Sequence, residues 1–139
     1  MKNTGRKSED IFDEAWKRLG KVAHVFTFTD ASKATGLNGR KTLIAAQPSD
    51  RLVTYQGKTF YAEIKSTWDE TCFQFSLLRP TQGAYAAAII AAGGVYDVFI
   101  HALATDLWYR VPYPVIKAAP QKHLKWQELS KYLWSFPTS

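Results

Sequence analysis

Three residues in this chain could do chemistry together: Asp50, Glu63 and Lys65, all within the stretch QPSDRLVTYQGKTFYAEIKST, Gln47 to Thr67. Two carboxylates held close repel each other unless a proton, a cation or an amine intervenes. A hard divalent ion between them, completed by waters and phosphate oxygens, is a natural solution. Such an ion activates a water, polarises a phosphate and offsets charge on the leaving oxygen. A neighbouring cation such as Lys65 stabilises the negative charge added in the transition state. That combination suits metal-assisted phosphodiester hydrolysis. The competing reading is a surface salt bridge between Lys65 and Glu63 or Asp50.

Whether the three meet depends on a hairpin. Strand side chains alternate between faces, so Phe60, Ala62 and Ile64 point one way and Tyr61, Glu63 and Lys65 the other. The alternation predicts one core face and one crowded polar face. A turn at Gln56-Gly57 pairs Tyr55 with Lys58 and carries Asp50 directly opposite Glu63. Cβ atoms of directly opposed residues lie roughly 4.5–5.5 Å apart. Gln-Gly is not the favoured Asn-Gly of a tight turn, and a three-residue loop with a Gly bulge would shift the register by one. The chemistry selects the first register.

The other elements must present this hairpin. Ser8 is read as an N-cap, with Glu9 and Asp10 in a first turn that favours acids. Phe12, Ala15, Trp16 and Leu19 then recur at helical spacing up to Gly20. Residues 1–7 read as a flexible basic arm and 31–41 as a protruding basic loop. Strands are expected over 22–30, 42–47, 51–56, 58–66, 95–103 and 106–112, and helices over 81–92 and 126–134, with a short helical turn at Pro114. The order predicts an α/β fold, a mixed sheet flanked by helices, in one domain over 1–139.

The chain has 139 residues, 46% of them apolar, enough for a core of its own. No apolar run approaches the ~20 residues of a membrane span, and the first ten residues lack the apolar stretch of a secretory signal. The single Cys72 excludes an internal disulfide framework and a Cys-rich zinc site. An intracellular, cytoplasmic protein is expected. Net charge is +6, which favours a polyanionic partner, most simply nucleic acid.

P-S-D…E-I-K resembles the PD-(D/E)xK nuclease signature, with Asp50, Glu63 and Lys65 in its three places. The longer block QPSDRLVTYQGKTFYAEIKSTWDETCFQFSLLRPTQ is similar to the RecU-type Holliday-junction resolvases, through the Gln-Pro-Ser lead, the Tyr-x-Gly-Lys turn, and Thr71, Phe73 and Gln82 beyond the E-x-K strand. The resemblance implies a restriction-endonuclease-like core. It implies a homodimer in a bacterial cell or phage-infected host that cuts four-way DNA junctions with Mg2+, Mn2+ substituting. Paired nicks would leave 5′-phosphate and 3′-hydroxyl ends, in recombination and repair. The metal set it implies is Asp50, Glu63, Glu9 and the backbone carbonyl of Ile64, with Gln82 added to the catalytic group. Loop 31–41 could correspond to the family's stalk.

Some of these residues have readings of their own. Asp13 has Lys17, and Glu14 has Arg18, four residues on, as surface pairs. Glu9 has no such partner; it serves either the site or the helix dipole. Gln82 holds a water or phosphate, or is a first-turn polar residue. Lys33, Arg40 and Lys41 in the loop, Arg6 and Lys7 in the arm, and Trp68 beside the active strand are candidate DNA contacts. Trp126, Tyr132 and Trp134 read as core or dimer contacts, and the three His as structural or exposed. Two other functions stay open: a different PD-(D/E)xK endonuclease, nicking or restriction-type, and a non-catalytic basic DNA-binding module.

Overall fold

The computed structural model describes residues 4–28 and 47–138. The expected loop at 31–41, with Lys33, Arg40 and Lys41, and the expected strand at 42–47 up to residue 46 lie outside the described residues. Helix α1 (Thr4–Lys17) leads through a 3-10 turn to β1 (Ala23–Thr27). The hairpin follows as β2 (Arg51–Tyr55) and β3 (Lys58–Thr67), then β4 (Cys72–Gln74) and α2 (Pro80–Ala91). The chain continues through β5 (Tyr96–Ala102), β6 (Leu107–Pro112), α3 (Tyr113–Ala118), β7 (His123–Lys125) and β8 (Leu133–Trp134).

Among the described residues, six strands form one mixed sheet in the order β1-β2-β3-β5-β6-β8, and β4 pairs with β7 in a second, two-stranded sheet. Only β3 and β5 run parallel within these pairings. A parallel pair needs a crossover, and β4 and α2 supply it. Pro80 suits the first turn of α2, where an N–H has no helical partner. Gly93, at φ +92°, ends the helix in a left-handed conformation.

Both faces of the sheet are covered. On one face, Phe12 and Trp16 of α1 pack on Val53, Phe60, Ala62, Ile64, Phe99 and Trp108. On the other, Val98, Ile100, Tyr109 and Val111 pack on Phe73, Ile116, Leu124 and Leu129. The expected division into one core face and one polar face is therefore corrected. Glu63 pairs with Val98 and shares the second core face, where it is 0% exposed.

Three further expectations change. The helix begins at Thr4, so Arg6 and Lys7 lie exposed on its first turns rather than in an arm. Ser8 is inside the helix, fully buried against His101, and is not its cap; this tertiary anchor holds the turn before it in spite of Gly5. Residues 126–134 are not a helix but a turn, a 3-10 turn at Ser130–Tyr132 and the edge strand β8. The reason is geometric. Leu129 belongs to the second core face and Trp134 packs with the α1-side aromatics, so the chain must pass round the sheet edge between them. Trp126 and Tyr132 pack on the core as one of their readings had it. The small β4–β7 sheet is an addition, made by segments too short to show a period.

Candidate active site

The hairpin turn decides the site. Gln56 (φ +50°) and Gly57 (φ +77°) are both left-handed, the signature of a primed two-residue turn whose twist matches the strands. Tyr55 pairs with Lys58 and Arg51 with Ala62, so Asp50 lies one step beyond, against Glu63. Two hydrogen bonds interlock the acids. The Asp50 N–H donates to Glu63 Oε1 at 3.1 Å, and the Ile64 N–H donates to Asp50 Oδ2 at 2.8 Å. Lys65 Nζ lies 3.4 Å from Glu63 Oε2.

The Pro-Ser lead is anchored on both sides of Asp50. The Tyr96 hydroxyl donates to the Pro48 carbonyl at 2.6 Å, and the Ser49 hydroxyl to the Arg51 carbonyl at 2.7 Å. Burial, then the charges of Glu63 and Asp50, raise the Tyr96 phenol, which keeps it a donor. Burial foremost, then the charge of Asp50, pushes Glu63 up to about 8 in spite of Lys65. Among the described residues, Glu63 Oε2 is one of two buried side-chain polar atoms with no hydrogen-bond partner; the other is the Trp16 indole nitrogen. Buried polar atoms are normally paired.

That oxygen, ion-paired with Lys65 but without a hydrogen bond, bears on the expected cation. Asp50 and Glu63 are hard oxygen donors, Glu63 Oε2 faces the Lys65 ammonium at 3.4 Å without a hydrogen bond, and a metal of the Mg2+ type needs only one or two carboxylates because it keeps waters. The residues present fit. They do not make a complete protein cage: no cluster of three or more His, Cys, Asp or Glu at metal-binding spacing occurs among the described residues.

Glu9 reaches the site through a residue the sequence reading did not weigh. Arg51 points to the α1 side of β2 and binds Asp13 at 2.8 and 3.0 Å, with Glu9 at 3.1 Å. Its Nη1 also donates to the Asp50 carbonyl at 3.0 Å. Asp13 therefore takes Arg51, not the Lys17 expected as its surface partner. Glu9 is raised by burial and then by the charge of Asp50, with Arg51 opposing both. The signal was present in the sequence: Glu9 and Asp13 share a helix face at i, i+4, and alternation puts Arg51 on the face opposite Asp50.

Gln82 is buried, and its side-chain oxygen accepts the Arg79 N–H at 3.0 Å, so it caps α2. It also lines a cavity of about 560 Å3 that reaches Glu63 and Tyr96. Trp68 is exposed just past the end of β3. His101 is structural, as one of its readings had it.

No protein-family model matches the chain, and no curated protein matches it in sequence. Among solved structures, Hjc of Archaeoglobus fulgidus, a Holliday junction resolvase from an archaeal hyperthermophile, is similar with a TM-score of 0.59 at 13% identity; the match covers 91% of this chain and 93% of that one. At that identity the likeness speaks for the fold: a mixed six-stranded sheet flanked by helices, of the restriction-endonuclease-like type.

Proposed function

We propose that the chain is a metal-dependent endodeoxyribonuclease that resolves four-way DNA junctions by paired nicks. The observation that carries this is the interlocked Asp50–Glu63 pair with the Lys65 ammonium 3.4 Å from the buried Glu63 Oε2. The fold shared with a Holliday junction resolvase and the net charge of +6 support it.

Asp50, Glu63 and the Ile64 carbonyl would hold Mg2+, or Mn2+ in its place, with Glu9 near enough to add its charge. Bound there, the ion would supply Lewis-acid polarisation of the phosphate and a more acidic water. The protein's own groups do the rest. Asp50, fixed by the Ile64 N–H and by the turn before it, sets the geometry of the pair. Lys65 lies where it can stabilise charge on the phosphate as a water oxygen bonds to phosphorus and the P–O3′ bond breaks. The phosphate stays on the 5′ end; the O3′ takes a proton and leaves as hydroxyl. Arg51 neutralises Glu9 and Asp13 behind the site, which keeps that side from repelling DNA. Arg6, Lys7 and Trp68, with Lys33, Arg40 and Lys41, are the DNA contacts in this reading, and a homodimer supplies the second nick.

The test is cleavage of a labelled four-way junction with Mg2+, beside linear, flap and mismatched duplexes. Preferential cutting of the junction, lost in Asp50→Asn while binding is kept, is expected. Equal cutting of plain duplex would leave a nicking or restriction-type nuclease instead. Metal-dependent cleavage absent from every substrate would leave a DNA-binding module.

A further inference from the structure

The cavity beside Glu63 has a use that the carboxylate pair does not require. Its volume of about 560 Å3 lies within the ~300–1,000 Å3 of small-molecule sites, far more than a cation and its waters need. It opens between the start of α2 and the segment joining α3 to β7. Part of its wall is flat and apolar: Tyr96 and Tyr113, with ring centroids 5.9 Å apart at 72°, together with Phe75, Leu78 and Val98. A side chain at Gly83 would bring its Cβ to 2.8 Å from the Tyr113 hydroxyl, so this glycine is what lets the Tyr113 ring lie against α2.

The rim has the opposite character. Arg79, Lys117 and Lys122 line it and are exposed, while Glu63 is the only acid among the described residues that line it. The exposed amide of Gln121 adds hydrogen-bonding groups suited to a base edge. An apolar slot with cations at its mouth matches a planar base attached to a phosphate chain. A stacked base in a continuous duplex cannot enter. A base at a branch point is already partly unstacked, so its extrusion costs less.

We propose that this cavity receives one unstacked nucleotide next to the phosphate to be cut, with its base against Tyr113 and Phe75 and its flanking phosphates on Arg79, Lys117 and Lys122. The inference rests on the nuclease reading above and adds to it a physical basis for choosing branched DNA.

The test uses four-way junctions carrying 2-aminopurine singly at each position flanking the crossing, bound to the full-length Asp50→Asn protein with Mg2+. Wild-type protein cutting the same junctions is the parallel measurement. The expected result is a fluorescence rise of about twofold or more over the free junction at one position beside the cut, as the base leaves the stack. The exposed pair Lys117→Ala/Lys122→Ala should lose that rise at unchanged Tm. It should also lower the slope of log affinity against log salt by about two. A junction cut normally while every probe stays dark overturns the cavity proposal and leaves the nuclease reading standing. An equal rise in Lys117→Ala/Lys122→Ala and in Tyr113→Ala overturns it too, because the junction itself would then be the source. A rise lost in these variants, with no cutting by wild type, upholds the cavity and removes the nuclease. No binding to branched DNA removes both.

Discussion

Two polar clusters lie back to back on the central strands. On one face are Asp50, Glu63 and Lys65. On the other, Ser8 Oγ is 2.8 Å from His101 Nδ1, and His101 Nε2 is 2.7 Å from Asp106 Oδ1. His101 pairs with Ser66, the neighbour of Lys65. By residue type the second cluster is the more suggestive, since Ser, His and Asp in a hydrogen-bonded chain are the parts of a hydrolase triad. Its geometry says otherwise. Ser8 is fully buried under α1, both ring nitrogens of His101 are occupied, and the ring stacks on Trp108 at 4.5 Å and 8°. Nothing remains to act on a substrate. In the first cluster one buried carboxylate oxygen has no hydrogen bond and only the Lys65 ammonium beside it at 3.4 Å, and a cavity reaches its residue. A closed network fastens α1 to the sheet; an incomplete one has capacity for a ligand.

The comparison breaks most sharply on activity. Asp50→Asn should bring junction cleavage below detection with binding kept, and Lys65→Ala should lower it about 10²–10³-fold. Ser8→Ala should leave cleavage per folded molecule unchanged. Cleavage and electrophoretic binding assays on the three variants check this, and loss of cleavage in a fully folded Ser8→Ala protein would remove the distinction.

The next effect is on pH. Glu63 is raised from 4.5 to about 8, so without metal its contribution to stability is fully present below about 4.5 and is lost as pH rises through about 8. Metal-free protein should therefore melt lower on going from about pH 6 to pH 9, and Glu63→Gln should flatten that dependence. Mg2+, taking the proton's place, should raise Tm more at about pH 9 than at pH 6. Scanning calorimetry with and without Mg2+ reads all three; an Mg2+ effect that shrinks with rising pH would contradict the assignment.

Stability separates the clusters in the other direction. Ser8→Ala leaves a buried imidazole nitrogen unpaired and should cost about 1–3 kcal/mol in denaturant unfolding. The smallest effect is expected for Asp106→Ala, whose side chain is 83% exposed: within about 1 kcal/mol, as for surface ion pairs. A larger loss for Asp106 than for Ser8 would mean that the chain is held from its solvent end.

The hairpin shows what could be read without coordinates. Period-two alternation on β3 and the Gln56-Gly57 turn carried Asp50 to Glu63, because register inside one hairpin is a local matter of turn geometry. The burial of Glu63 could not be read that way. It comes with segments distant in sequence: Glu63 pairs with Val98 of β5 and shares a cavity wall with Tyr96 and Ile116. Arg51 stood next to Asp50, but its role needed α1 to lie across β2. Residues 126–134 carried a helical spacing of aromatics that the tertiary structure overrode, since Leu129 and Trp134 fill cores on opposite sides of the sheet.

The sequence by itself therefore determined which acids meet, through one turn and a period of two. Only the tertiary structure decided that one of them would be buried, at the edge of a cavity rimmed with cations. Pairing within a hairpin depends on a few consecutive dihedral angles, whereas burial depends on which remote segments close over it.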